Sequence, residues 1–88
     1  MAYRVEFTSA ARRQFKRLSP EVRKRLAPVI DHLADKPRAP GVAKMSGTEY
    51  CYRLRVGDYR ILYEVYHDRL LVLVIRVGHL REVYRGRS

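Results

Sequence analysis

Arg53, Arg55 and Arg60 are the residues of this sequence whose types and spacing most directly suggest chemistry. They lie on two runs of alternating residues, Tyr50 to Val56 and Tyr59 to Tyr66, separated only by Gly57-Asp58. Alternation is the period of a strand. A two-residue loop led by glycine, which tolerates the positive φ of a type II′ turn, closes two such runs into a hairpin. The register then follows: Val56 lies opposite Tyr59, Leu54 opposite Ile61, Tyr52 opposite Tyr63 and Tyr50 opposite Val65 on the face that should receive helices. On the other face Arg55 lies opposite Arg60, Arg53 opposite Leu62 and Cys51 opposite Glu64. Like charges directly across a ladder destabilise a sheet unless an anion sits between them. Guanidinium groups grip phosphate through paired donors, so three of them converging on a helix-free face predict a phosphate clamp. The purely structural alternative is that the long side chains splay outward, with Arg53 reaching Glu64.

Groups able to move protons are fewer. His79 follows Gly78 at the end of an apolar run, and an imidazole with an unperturbed pKa of about 6.5 suits proton transfer; a histidine at a strand end is also commonly just a surface residue. Tyr66 and Tyr84 are candidates for base stacking or chemistry, whereas Tyr50, Tyr52, Tyr59 and Tyr63 fall on the core face. Tyr84 stands in a basic tail that also holds Arg81 and Arg85. Three histidines at 32, 67 and 79 with one cysteine offer no metal-ligand spacing. Gly41, Gly47 and Gly57 form no phosphate-binding fingerprint, and no serine sits in a nucleophile elbow. Neither metal nor cofactor is expected.

The composition agrees with a polyanion partner. The 88 residues hold 19 Lys and Arg against 9 Asp and Glu, a formal net charge of +10, and 15 of the 19 cations are Arg. A merely solubilising surface would use Lys more freely, whereas Arg forks onto phosphate and stacks on bases. A domain that is basic for solubility and an acidic protein partner that masks the charge are the other readings, the latter compatible with phosphate binding. At 47% hydrophobic the chain is a folded globule, and its length allows one domain, residues 1–88, with a thin core and no room for a dinucleotide fold or a barrel. The lone Cys51 cannot form an internal disulfide and points to a reducing cytosol, hence a cytoplasmic location. The N-terminal residues show no apolar leader, and the longest apolar run, Leu70 to Ile75, is far short of a membrane span.

Around the hairpin, the pattern predicts the elements that hold it. Tyr3 to Phe7 alternates as a half-buried strand. Thr8 or Ser9 then caps a helix of about ten residues striped by Ala11, Phe15 and Leu18. Ser19-Pro20 starts a second helix, with Val22, Leu26, Ile30 and Leu33 in register through Pro28 to near Lys36, expected as one kinked helix. The Arg23-Lys24-Arg25 run is its solvated side, with a possible contact to nucleic acid backbone. Lys36 to Gly41 is a loop. Leu70 to Val77 is nearly all apolar and predicts a central strand covered on both faces, broken by Gly78, with a short edge strand from His79 to Arg85. The expected fold is α+β: an N-terminal strand and a two-helix hairpin packed on one face of a four- to five-stranded, mainly antiparallel sheet.

Phe15 to Leu18, Lys44 to Gly47, Tyr52-Arg-Leu-Arg-Val-Gly-Asp-Tyr-Arg-Ile-Leu-Tyr63 and Val77-Gly-His-Leu-Arg-Glu-Val-Tyr84 resemble, in order and over nearly the whole chain, the RelE branch of the RelE/ParE toxins. The most specific parts are Asp58-Tyr59-Arg60 with the strands around it and the Gly-His…Glu-Val-Tyr ending. The resemblance implies a microbial RNase fold and a ribosome-dependent mRNA endonuclease, held inactive by a cognate antitoxin through an acidic amphipathic helix, in a complex that can be oligomeric. It also implies roles. Arg53 and Arg55 match basic residues, often Lys, on the active-site strand; Arg60 matches a phosphate-stabilising arginine, and Tyr84 a tyrosine that stacks on or orients the nucleotide. Lys44, Arg76 and Arg85 are expected RNA contacts. Leu80 departs from the pattern, since the family commonly has a basic residue after Gly-His. Either Arg81 takes that place or the nuclease is weakened. The ParE branch, which shares the fold, resembles a gyrase inhibitor without nuclease chemistry, and a toxin-like domain that only binds its antitoxin is a third reading.

Overall fold

Thr8 and Ser19 each end a stretch of extended backbone and start a helix. Thr8 Oγ1 accepts from the Ala11 N–H at 3.1 Å and Ser19 Oγ from the Val22 N–H at 3.4 Å, each satisfying a donor the helix itself leaves orphaned. The elements are β1 (Arg4–Phe7), α1 (Ser9–Arg17), α2 (Pro20–His32), β2 (Val42–Lys44), β3 (Cys51–Val56), β4 (Tyr59–Tyr66) and β5 (Leu71–His79). They are seen in a computed structural model that describes residues 2–38, 51–79 and the backbone of 42–44. Between the helices, Arg23 Nη1 donates to the carbonyls of Lys16 at 2.9 Å and Leu18 at 2.7 Å, so one residue of the expected solvated run caps the end of α1.

The sheet order is β1-β5-β4-β3-β2, with β1 parallel to β5 and the other pairs antiparallel. One face carries the core: Ala11, Leu26, Ile30 and Leu33 from the helical layer pack on Tyr52, Leu54, Ile61, Tyr63, Val65, Val72, Val74 and Val77, as an α+β layering requires. The register of β3 against β4 is the one the two-residue loop dictates, from Cys51 opposite Glu64 to Val56 opposite Tyr59. Tyr63 is fully buried and stacks on Tyr52 with centroids 5.8 Å apart. Its hydroxyl donates to the Pro37 carbonyl at 2.5 Å, which ties the segment after α2 to the middle of the sheet.

Several expectations are corrected. α2 ends at His32, short of Lys36, because the chain must turn there: Tyr3 N–H takes the Ala34 carbonyl at 2.6 Å, which aligns the start of β1. Pro28 lies inside α2 without ending it. Both Pro28 and Lys24, whose carbonyl loses its partner, are exposed, so water can satisfy that group. Val42–Lys44, to which the sequence pattern assigns no element, forms β2 at the edge of the sheet beside β3. Gly78 does not break β5, which continues to His79 and pairs Gly78 with Arg60 and His79 with Tyr59. The hydrogen bonds along the full length of β4 outweigh the poor strand preference of one glycine. β5 is central in position, but helices cover only one of its faces; Leu73 and Ile75 are half-buried. The edge strand expected over His79 to Arg85 lies outside the described residues beyond His79.

Candidate active site

The β3–β4 turn sets the site's geometry. Gly57 has φ +59°, while Asp58 has no positive φ, which is the signature of a type II′ turn and fixes the pairing of Arg55 with Arg60. Arg55 is exposed, and its Nε donates to the Gly57 carbonyl at 3.2 Å. From the helical layer, Arg25 reaches the same turn, its Nη2 only 2.9 Å from where a Cβ on residue 57 would stand. Nothing in the spacing of α2 marks Arg25 as a neighbour of the hairpin; only the packing of the helix over the sheet does.

A bulge completes the site. Leu62 pairs with Arg76 but Tyr63 with Val74, so Ile75 is an extra residue on β5. Without it, the strict alternation that puts Val72 and Val74 on the core face would put Arg76 there too. With it, Val77 takes the core position opposite Ile61, and Arg76 joins the helix-free face. Two rows across the sheet result: Arg55, Arg60 and Gly78, then Arg53, Leu62 and Arg76. Leu62, 4% exposed, lies between Arg53 and Arg76, and Gly78, with no side chain, lies beside Arg60, so apolar positions are interleaved with the arginines. Arg60 lies with its Nε buried. A partly desolvated cation held in place before a ligand arrives stabilises anionic charge more than the same group would in water.

The structure thus brings Arg53, Arg55, Arg60 and Arg76 together. It places His79 elsewhere. By register His79 shares the core-side face with Tyr59, and the two rings meet edge to face at 5.6 Å and 77°. Glu64 is on the arginine face one row beyond Arg53 and Leu62, and its carboxylate accepts from the Tyr66 hydroxyl at 2.6 Å. The Arg69 guanidinium lies 5.2 Å over the Tyr66 ring, so that tyrosine is already engaged. Lys44 pairs with Tyr52 rather than with the arginine row. Leu80, Arg81, Tyr84 and Arg85 lie outside the described residues. No group of three or more His, Cys, Asp or Glu that could hold a metal occurs among the described residues.

A family model described as the ParE toxin of the type II toxin-antitoxin system, parDE, matches residues 5–84. The mRNA interferase toxin RelE of Escherichia coli K12 is 32% identical over 80 residues, which are 89% of this chain and 83% of that protein. The crystal structure of isolated E. coli RelE superposes with a TM-score of 0.82 at 29% identity, covering 98% of this chain and 95% of that one. The RelE–RelB complex of Pyrococcus horikoshii gives a TM-score of 0.80 at 26% identity, with full coverage of both chains. With a helical hairpin on one face of the sheet, an arginine cluster on the other and matches along nearly its whole length, this chain belongs to the toxins of type II toxin-antitoxin systems, in the RelE branch of the RelE/ParE superfamily.

Proposed function

We propose that the chain is a toxin that cleaves mRNA in the ribosomal A site and so stops translation. The observation that carries this reading is the opposition of Arg55 and Arg60 with Arg53 and Arg76 in the adjoining row. Like charges facing each other across a ladder cost a sheet free energy that a bound polyanion offsets. In the cleavage, the 2′-oxygen forms a bond to the adjacent phosphorus while the bond to the 5′-oxygen breaks, leaving a cyclic phosphate and a free 5′-hydroxyl. The extra negative charge on the phosphoryl oxygens is what the guanidinium groups stabilise. An arginine guanidinium stays protonated and has no lone pair to take the 2′-hydroxyl proton, so Arg53 and Arg55 serve charge and position, not proton removal. Proton transfer falls to a group beyond the four: Glu64 shares their face, Tyr84 follows in the chain, and the ribosome can supply one. The chemistry of these residues needs no metal.

The same reading supplies a partner. A domain of charge +10 suits an acidic amphipathic helix of a cognate antitoxin, and the archaeal relative was solved as a RelE–RelB complex. The family model's ParE name favours a second reading, gyrase inhibition, in which the arginine rows would have no catalytic use. Primer extension on translated mRNA separates the two. Arg60→Ala in a folded protein is expected to lower A-site cleavage at least ~100-fold, the scale of losing one group that stabilises developing charge. Undiminished cleavage by that variant, or supercoiling inhibition in place of cleavage, refutes the proposal.

A further inference from the structure

β5 runs on past the end of β1, and there a cavity of about 470 Å³ opens at the edge of β5 beside α1, lined by residues of both faces. Arg17 and Gln14 from α1, Ser19 from the interhelical turn, Tyr59 from β4, and Arg76 and Gly78 from β5 line it. The size is that of a small-molecule site. Among the described residues no carboxylate lines it, so its two arginines set its potential.

The cavity has fixed walls. Where β1 stops, α1 takes over the edge of β5: Thr8 N–H donates to the Val74 carbonyl at 3.0 Å, and Gln14 Oε1 accepts from the Val77 N–H at 2.9 Å. Because Val77 can only donate, the Gln14 amide is oriented, and its NH₂ is left as a donor. Tyr59 offers a half-buried ring, braced by the edge contact with His79. Gly78 lets a ligand come close to the backbone. Cations, an oriented amide donor and an aromatic wall suit a phosphate joined to a planar ring. Arg76 links this cavity to the arginine face: its register position puts it in the row with Arg53, two strand spacings or roughly 10 Å across the sheet.

We propose that the cavity is a nucleotide subsite for the RNA strand, holding the unit next to the one whose phosphate lies on the arginine face. The phosphate sits between Arg17 and Arg76, with the base against Tyr59 and Gln14. This rests on the RNA-cleaving reading above and adds to it the path that the strand takes over the edge of β5.

The test uses the 88-residue chain, a 2′-O-methyl trinucleotide that cannot be cleaved, and adenosine 5′-monophosphate as the free-nucleotide control. The trinucleotide is expected to shift the amide resonances of Val77 and Gly78 and the Gln14 side-chain NH₂. Arg17→Gln, at an exposed position, is expected to weaken its binding roughly tenfold, the scale of one charge-assisted contact. Arg13→Gln removes the same charge from an exposed site of α1 that does not line the cavity, and is expected to change binding less than twofold. Equal losses in the two variants would mean general electrostatics and overturn the subsite. Trinucleotide shifts confined to the rows of Arg53 and Arg60 would overturn it while leaving the RNA-cleaving reading intact. Tighter binding of adenosine 5′-monophosphate than of the trinucleotide would assign the cavity to a free nucleotide instead. Absence of any RNA binding, together with absence of A-site cleavage, would bring down both readings.

Discussion

Arg60 and Ile61 are neighbours in the chain and belong to opposite faces of one sheet. On the Ile61 face the helices bury side chains that are almost all apolar; of its two buried tyrosines, Tyr52 and Tyr63, the fully buried Tyr63 has its hydroxyl satisfied by Pro37. On the Arg60 face, Arg55 and Arg60 oppose one another across a ladder, with Leu62 and Gly78 interleaved among the arginines. The first arrangement lowers the free energy of the folded chain by itself; in the second, the opposition of Arg55 and Arg60 is a cost that a bound anion would offset. What separates them is where each face finds its stabilisation, inside the molecule or in a ligand.

That contrast is broken most directly by exchanging the same small residue into both faces. Ile61→Ala deletes a fully buried side chain, and we expect a loss of about 4 kcal/mol of stability, read by denaturant unfolding, large for a thin core. Arg60→Ala is expected to leave the melting temperature nearly unchanged while removing cleavage, a barrier increase of about 3 kcal/mol. If Arg60→Ala unfolds the protein as Ile61→Ala does, the arginine is part of the framework and the two faces do not differ as described.

Gly57 belongs to both faces, since its turn sets the register for all the rows. Gly57→Ala forces an L-residue to φ near +59°, which costs about 1–2 kcal/mol, and pushes aside the Arg25 guanidinium, a flexible end that moves cheaply. Stability and cleavage should therefore fall together. A variant that loses stability alone would show that the arginine rows tolerate a disturbed turn.

Tyr63 tests the satisfaction of the core face. Burial, and secondarily the neighbouring Tyr52, push its phenol well above the usual tyrosine range. The neutral form is thus the one the fold holds. Its contribution is complete below the unfolded value of about 10 and is lost as pH rises beyond it, because only the unfolded chain ionises readily there. Tyr63→Phe should cost about 1 kcal/mol at neutral pH, by leaving the Pro37 carbonyl without its donor. It should also flatten the alkaline part of the stability profile, measured by denaturation between pH 8 and 11. An unchanged alkaline slope would remove Tyr63 as its source.

Much of this was legible from residue types. Thr8 and Ser19 name the helix starts because their side chains reach orphaned amides, and Gly57-Asp58 between alternating runs fixes a register with no freedom left. Arg76 shows where legibility stops. It was an expected RNA contact, yet the face it occupies depends on the bulge at Ile75, and nothing in the run Leu-Val-Leu-Val-Ile marks an extra residue. The parallel pairing of β1 with β5 joins segments far apart in sequence, so no local pattern announces it, and β2, at three residues, is too short to show an alternation. Continuation of β5 through Gly78 was hidden for the opposite reason: a local signal to stop was overridden by pairing with β4. His79 shows the same limit: its pairing with Tyr59, and so its place on the face opposite the arginines, follows from the continuation of β5 through Gly78.

The smallest expected effect is the most exacting for the arginine face. Arg55 is exposed, and its hydrogen bond to Gly57 at 3.2 Å competes with water, so its removal loses little. Its opposition to Arg60 should cost up to about 1 kcal/mol at low ionic strength and nearly nothing in 1 M salt, where charges farther apart than about 3 Å are screened. Arg55→Gln should therefore raise stability by about 0.5 kcal/mol in dilute buffer and leave it unchanged in 1 M sodium chloride. Inorganic phosphate should stabilise the unaltered chain more than the variant, because a ligand stabilises in proportion to its affinity for the folded state. A variant with no gain in dilute buffer and the same response to phosphate would mean that the two guanidinium groups splay apart, and that a phosphate has no reason to sit between them.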